Sequence, residues 1–314
     1  MLAYIAKRLL IAIPVLISVM LIIFLILNVL PGNPIEVMMG EKAKPEVIDR
    51  VTKEMGLNDP LAVRFFRYLG NTVKGDFGMS YKLNRDVGTM IRNAFPNTLK
   101  LALASILFAW VVGVPAGIVS AVKKYSILDN AFMSFSLMGV SVPVFWTALL
   151  LQVVFGYYLK ILPINGYTTW KHMILPAIAL GWGSAGSVAR LTRSNLLEVM
   201  RNDYIRTARA KGLRELLVVS RHALKNSMLP VVTIMALQVS SLLSGAVITE
   251  SVFGIPGVGR LTVDAINSRD MPLLQGSVLF CTIIVILGNI AADVAYSFID
   301  PRIRVRKEAR HGHQ

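Results

Sequence analysis

The 314-residue chain is 54% hydrophobic and only 16% charged, with a mean hydropathy of +0.60. Soluble domains carry about 25% charged residues, so this balance excludes an ordinary soluble domain and predicts an all-α integral membrane protein. A net charge of +15 would suggest nucleic acid in a soluble chain, but here the charges fall in blocks between apolar stretches, and no nucleic-acid partner is expected.

Six apolar windows are read as transmembrane helices, near Leu9–Leu30, Thr98–Ala121, Ala131–Leu159, Met173–Ala189, Leu229–Thr249 and Leu273–Ile299. A helix needs roughly 20 residues to cross the hydrocarbon core. The first window has a longer apolar core than a signal peptide and no small-x-small cleavage site, so it reads as a retained helix. Residues 31–97 form a long outer loop with folded features. Val47, Ile48, Val51 and Met55 share one helical face of Pro45–Met55. A second helix, Asp59–Leu69, takes Asp59 as N-cap and Pro60 as its first residue. Gly75–Tyr81 (GDFGMSY) reads as a tight turn without the lysine of a phosphate-binding loop.

Pro143 in Ser141–Phe145 predicts a kink in the third span. The fourth window is the weakest, being short and carrying Gly181, Gly183 and Gly186. Between the fifth and sixth lies ESVFGIPGVGRLTVDAINSRDMP, Glu250 to Pro272, too broken by glycine and proline for a span. A re-entrant or interfacial segment fits, serving either as an outer gate or as a structural plug. Lys and Arg concentrate before the first span, after the second, between the fourth and fifth, and after the sixth. By the positive-inside rule both termini are cytoplasmic. Cys281 is the single cysteine, so no intrachain disulfide forms.

The basic segment 190–228 contains Tyr204-Ile-Arg-Thr-Ala-Arg-Ala-Lys-Gly212, a short polar helix closed by glycine. Asp203 is placed to cap it, and Tyr204, Thr207 and Ala208 give it a small-sided face, with Arg206 and Arg209 available to acidic groups. The alternative is a solvated basic loop that sets topology or meets anionic lipid. This string resembles the cytoplasmic loop of ATP-binding-cassette importer permeases, whose pattern is Glu-Ala-Ala, three residues, Gly. Arg206, Thr207, Ala208 and Gly212 fall on those positions, and Arg206 and Thr207 depart from the glutamate and first alanine. "GDFG-S", "VF-PG-GR", "RHALKNSMLPVVT" at Arg221–Thr233 and "DPRIR" at Asp300–Arg304 extend the resemblance to the first permease of the dipeptide, oligopeptide, glutathione and nickel group.

The resemblance implies an N-terminal helix (1–30), an extracytoplasmic loop region (31–97), a five-helix permease core (98–300) and a basic cytoplasmic tail (301–314). It further implies one half of a solute path for peptides, with nickel chelates or glutathione as alternatives, in a bacterial or archaeal cytoplasmic membrane. The implied partners are a second homologous permease, two cytoplasmic ATPase subunits and an extracytoplasmic binding protein, with membrane lipid around them. No cofactor is expected on this chain; ATP and Mg belong to the ATPases. Asp203, Tyr204, Arg206, Thr207, Ala208, Arg209 and Gly212 would couple to them. Candidates for the path or gate are Ser141, Gln152, Gln238, Ser241, Phe253 and Pro256. Small and polar residues also mediate plain helix packing, which is the competing reading for these six. Asn289 and Asp293 share a face of the last span, and Glu250 sits at the outer end of the fifth. No nucleotide-binding lysine loop, metal-ligand cluster or paired catalytic groups are legible, so no metal site and no enzyme activity are expected. An intramembrane enzyme or a passive channel are the rival classes, and a channel needs no coupling helix.

Overall fold

The computed structural model describes residues 2–29, 52–53, 56, 58–80, 82–244 and 246–299. Apart from Thr52 and Lys53, the expected helix Pro45–Met55 lies outside the described residues, as does the tail 301–314. Within them the protein is helical except for one two-stranded hairpin, β1 (Met79–Ser80) against β2 (Arg85–Asp86), paired antiparallel with Met79 opposite Asp86.

Helix α1 (Leu2–Val29) is apolar nearly all round and largely exposed, as lipid contact requires. Amphipathic α2 (Leu61–Val73) lies against it through Phe65 and Tyr68, whose rings sit 5.4 and 6.4 Å from that of Phe24. Pro60, not Asp59, occupies the N-cap of α2. The Asp59 carboxylate instead pairs with Arg67 at 2.5 Å, which a prolyl residue after it allows by holding the chain extended before the first turn.

Helix α3 (Val87–Val122) begins eleven residues before the expected span, its N-terminus capped by Asp86 accepting from Thr89 N at 2.6 Å. At 1.5 Å per residue its 36 residues extend about 54 Å, well beyond a bilayer core. The apolar window missed the polar first turns because they stand outside the hydrocarbon. The third span is not a kinked helix but two, α4 (Ile127–Ser141) and α5 (Val144–Tyr158), meeting at 114°. Val142 is extended and Pro143 caps α5, the conformation a residue before proline is pushed into. The last two turns of α5, Gln152–Tyr158, are π-helical.

Helix α6 (Lys171–Val199) is followed by the short α7 (Asp203–Ala210). Residues Glu215–Leu217, a π-helical stretch Val218–Ala223 and Leu224–Ser244 then run on as α8. The segment expected between the fifth and sixth spans folds as α9 (Ala246–Phe253) and α10 (Val258–Ser268), and α11 (Met271–Ile299) follows. The expected fifth span thus starts earlier and gives up its end to α9. Among the described residues five helices are long and apolar enough to cross a membrane, or six if the bent α4–α5 pair counts as one span.

The packing centre is the seam between α3 and α6. A methyl group on Gly113 would stand 2.7 Å from the Ala185 carbonyl oxygen, and one on Gly117 2.5 Å from that of Ala189. The absent side chains let two backbones touch, which is how membrane helices gain dispersion energy where lipid supplies no hydrophobic drive. One end of the bundle packs Ala121, Leu196, Ile205, Ala208, Val218 and Val219 together, and the opposite end Val87, Ile91, Val258, Ala265 and Leu273. Helix α7 and the end of α3 therefore share one side, and the hairpin, α10 and the start of α11 the other. Gly117→Val should lower stability by about 1–3 kcal/mol through overpacking. A fall of several degrees in Tm of the purified protein would register it. Gly70→Ala on α2, with nothing within 4 Å, is the control and should cost nothing.

Candidate functional site

Two places gather the singled-out residues, one at each end of the bundle. At the first, α7 is N-capped by Asn202 without a side-chain bond; Asp203 is the first helical residue, not the cap. Its exposed carboxylate lies 3.7 Å from Arg206, while its carbonyl accepts from Thr207 Oγ1 at 3.0 Å. Gly212 ends the segment at φ +78°, a conformation that costs a residue with a β-carbon about 1–2 kcal/mol.

The faces of α7 differ from the expected grouping. Ile205 and Ala208 point inward, buried among Ala121, Leu196, Val218, Val219 and Ala223. Ala208 is thus part of the chain's own core, while Arg206 and Thr207 face outward. Helical spacing correctly put Tyr204, Thr207 and Ala208 near one another but could not say which side the protein covers. The Tyr204 hydroxyl accepts from Asn226 Nδ2 at 3.0 Å, and Arg209 forks onto Glu215 at 3.0 and 2.6 Å. Both bonds staple α7 to α8, so Arg209 is already committed within the chain.

At the other end, the elbow between α9 and α10 is bonded from three sides. Asn97 Nδ2 donates to the Pro256 carbonyl at 3.0 Å, and Val258 N donates to Thr98 Oγ1 at 2.9 Å. Gln152 Nε2 reaches the carbonyls of Val252 and Ile164 and Asn165 Oδ1, each at 3.1 Å. Gly166 N donates to the Phe253 carbonyl at 3.2 Å. Under the elbow lies Glu250, fully buried, with Oε2 accepting from Arg260 N at 3.0 Å. A β-carbon on Gly257 would collide with that carboxylate, so the glycine is what lets the backbone close over it. Burying an unpaired carboxylate costs several kcal/mol; the Arg260 N–H offsets part of that at Oε2, while Oε1 is buried without a hydrogen-bond partner among the described residues.

Of the six path candidates, Gln152, Phe253 and Pro256 meet at this elbow. Gln152 is a buried bolt and Phe253 a core residue at 1% exposure, packed with Leu101, Leu175 and Ile255; Pro256 is half-buried. Gln238 donates to the Ser184 carbonyl at 3.2 Å, tying α8 to α6. Ser141 and Ser241 are exposed, on α4 and α8. These three stand apart from the elbow set. Sequence reasoning missed Asn97 and Thr98, which sit at the start of the expected second span. It also missed the Asp129–Arg193 pair (2.7 and 2.8 Å) joining α4 to α6, and the bond from Ser80 to Asp270 joining the hairpin to α11. Only the glycines 257 and 259 beside Glu250 hinted at a buried group needing close backbone approach. No cluster of three His, Cys, Asp or Glu able to hold a metal occurs among the described residues.

Comparison with known proteins shows the family. Residues 113–305 match the family described as binding-protein-dependent transport system inner membrane component, and residues 1–102 its N-terminal companion. The chain is 41% identical to the dipeptide transport system permease protein DppB of Alkalihalophilus pseudofirmus, over 97% of this chain and all of that one. It is 42% identical to the glutathione transport system permease protein GsiC of Escherichia coli K12, over 98% and 100%. Among solved structures, the MetNI methionine ABC transporter in an inward-facing conformation matches with TM-score 0.57 at 17% identity, over 67% of this chain and 96% of that one, a likeness of fold. The chain belongs to the binding-protein-dependent transport system inner membrane component family and is a multi-pass membrane permease.

Thr98→Val keeps the shape of the side chain but leaves the Val258 N–H buried without an acceptor. It should cost about 1–3 kcal/mol, seen as a lowered Tm, and Thr98→Ser should recover most of it.

Proposed function

We propose that this chain is one of two membrane permeases in an ATP-driven importer of short peptides, glutathione among them, delivered by an extracytoplasmic binding protein. The observation that carries this reading is end-to-end similarity to dipeptide and glutathione permeases at about the same identity. The partners are a second homologous permease and two cytoplasmic ATPase subunits, which hold ATP and Mg; this chain holds no cofactor. Both termini and α7 face the cytoplasm, by the placement of Lys and Arg.

Helix α7 couples the ATPases to the spans. Arg206 and Thr207 are its outward contacts. Ile205 and Ala208 seat it on the ends of α3 and α6, and Arg209 and Tyr204 staple it to α8. A displacement of α7 thus acts on three long helices together. Alternating access needs two packings, each favoured by a different ligand state of the ATPases. The hairpin, α2 and the elbow stand at the opposite mouth, facing the binding protein.

The reading is tested by reconstituting the importer in liposomes with its binding protein and measuring ATP-dependent uptake of dipeptides, glutathione and nickel chelates. Uptake of the chelates alone would sink the peptide assignment. Arg206→Glu combined with Thr207→Tyr should cut uptake and ATPase-subunit retention at least about tenfold, equivalent to about 1.4 kcal/mol, with permease pairing intact. Normal uptake in that variant removes α7 as the coupling element. In a Cys281→Ser background, a cysteine at Asn84 should react with an impermeant thiol reagent in intact cells and one at Arg206 should not; the reverse pattern inverts the topology.

A further inference from the structure

An open cavity of about 880 Å3 lies at the hairpin end, between the first turns of α3 and the elbow. Small-ligand sites span roughly 300–1,000 Å3, so this volume holds a short peptide with room for varied side chains. Its charged lining comes in two pairs. Arg85 and Asp86 project from β2, and Arg260 and Asp264 from α10; the amides of Asn93 and Asn97 stand between them on α3. The formal charges cancel, so the cavity offers both signs and favours neither alone.

These groups are held on fixed backbone. Arg260 N is bonded to Glu250, Asn97 is bonded to the Pro256 carbonyl, and Asp86 is the cap of α3. The Thr89 hydroxyl and N–H hold the Asp86 carboxyl below the usual carboxylate range, so it is anionic at neutral pH. Arg260 and Asp264 approach only to 3.8 Å and are each about half exposed, a contact worth little in water. Both remain available to a ligand that brings a better-placed partner. Preorganised charges of opposite sign suit a small molecule with an ammonium and a carboxylate at its two ends.

We propose that this cavity is a receiving subsite for short peptides with free termini, Arg260 and Arg85 taking the carboxylate and Asp264 and Asp86 the ammonium. It rests on the transport reading above and adds where on this chain the substrate first lands. Side chains of the peptide meet no dedicated charge, so the subsite reads the termini and tolerates sequence.

The test places benzoylphenylalanine at Asn93 in the purified permease–ATPase complex in liposomes and labels it with millimolar radioactive dipeptide, without binding protein. Unlabelled dipeptide should suppress the adduct at least about fivefold better than its N-acetyl or C-terminal amide forms. Arg260→Gln should abolish the preference for the free carboxylate, and Asp264→Asn the preference for the free ammonium, each leaving the other preference in place. Labelling that ignores the termini, or that neither variant changes, overturns the subsite while ATP-driven uptake in the same preparation leaves the transport reading standing. If the probe labels the binding protein, once added, and never the peptide, the cavity receives a protein loop and the proposal is equally overturned. Absence of any ATP-driven peptide uptake overturns both.

Discussion

Close backbone contact along α6 is the constraint on which the other placements depend. Gly113 and Gly117 bring α3 onto it. Its own Gly186 admits the Ser136 carbonyl of α4, with Trp182 donating to the Phe135 carbonyl at 3.1 Å. Gln238 ties α8 to a third face. A helix contacted by protein on so many sides has little lipid to satisfy. Its most apolar window averages a hydropathy of only 1.2 and is 56% buried, against 3.2 and 17% for α1. Small residues, which let backbones meet, replace the large apolar ones that lipid favours. The weakest of the expected spans is thus the central one, and for the same physical reason.

That inversion explains what was legible. The number and order of spans followed from lipid, because lipid selects for long apolar runs whatever the tertiary fold. The break between α9 and α10 was legible too, since Gly254, Pro256, Gly257 and Gly259 cannot sit in a continuous span. The break at Pro143 was visible as a proline but not as a 114° turn, which depends on the separate surfaces α4 and α5 pack against. Inside and outside of α7 were not legible, because Ile205 and Ala208 become a core face only once α3, α6 and α8 bring their ends together. Asp129 and Arg193 lie 64 residues apart, and Ser80 and Asp270 190, separations that no local pattern spans.

The two functional ends are not independent. Helix α3 carries Ala121 in the cluster that seats α7 and Asn97 and Thr98 in the bonds that hold the elbow. Those positions are about 35 Å apart along the helix. Pro115 removes one hydrogen bond between them, yet the helix runs unbroken from Val87 to Val122, braced at that point by the Gly113–Gly117 contact with α6. If α7 couples as proposed, its displacement would reach the elbow along this continuous, buttressed helix.

An elbow with Phe253 and Ile255 in the core, Glu250 sealed beneath it and bonds to α3 and Gln152 has no cheap way to swing by itself. Opening it alone would expose a buried carboxylate and strand several backbone groups at once, each costing about 1–3 kcal/mol if left unpaired. Moving α3, α5, α6 and the elbow as one body costs none of those bonds. In a two-permease importer the outer mouth on this side then opens by displacement of the whole body against the second permease. The cavity residues Asn93, Asn97, Arg260 and Asp264 lie on α3 and α10 and so belong to that body.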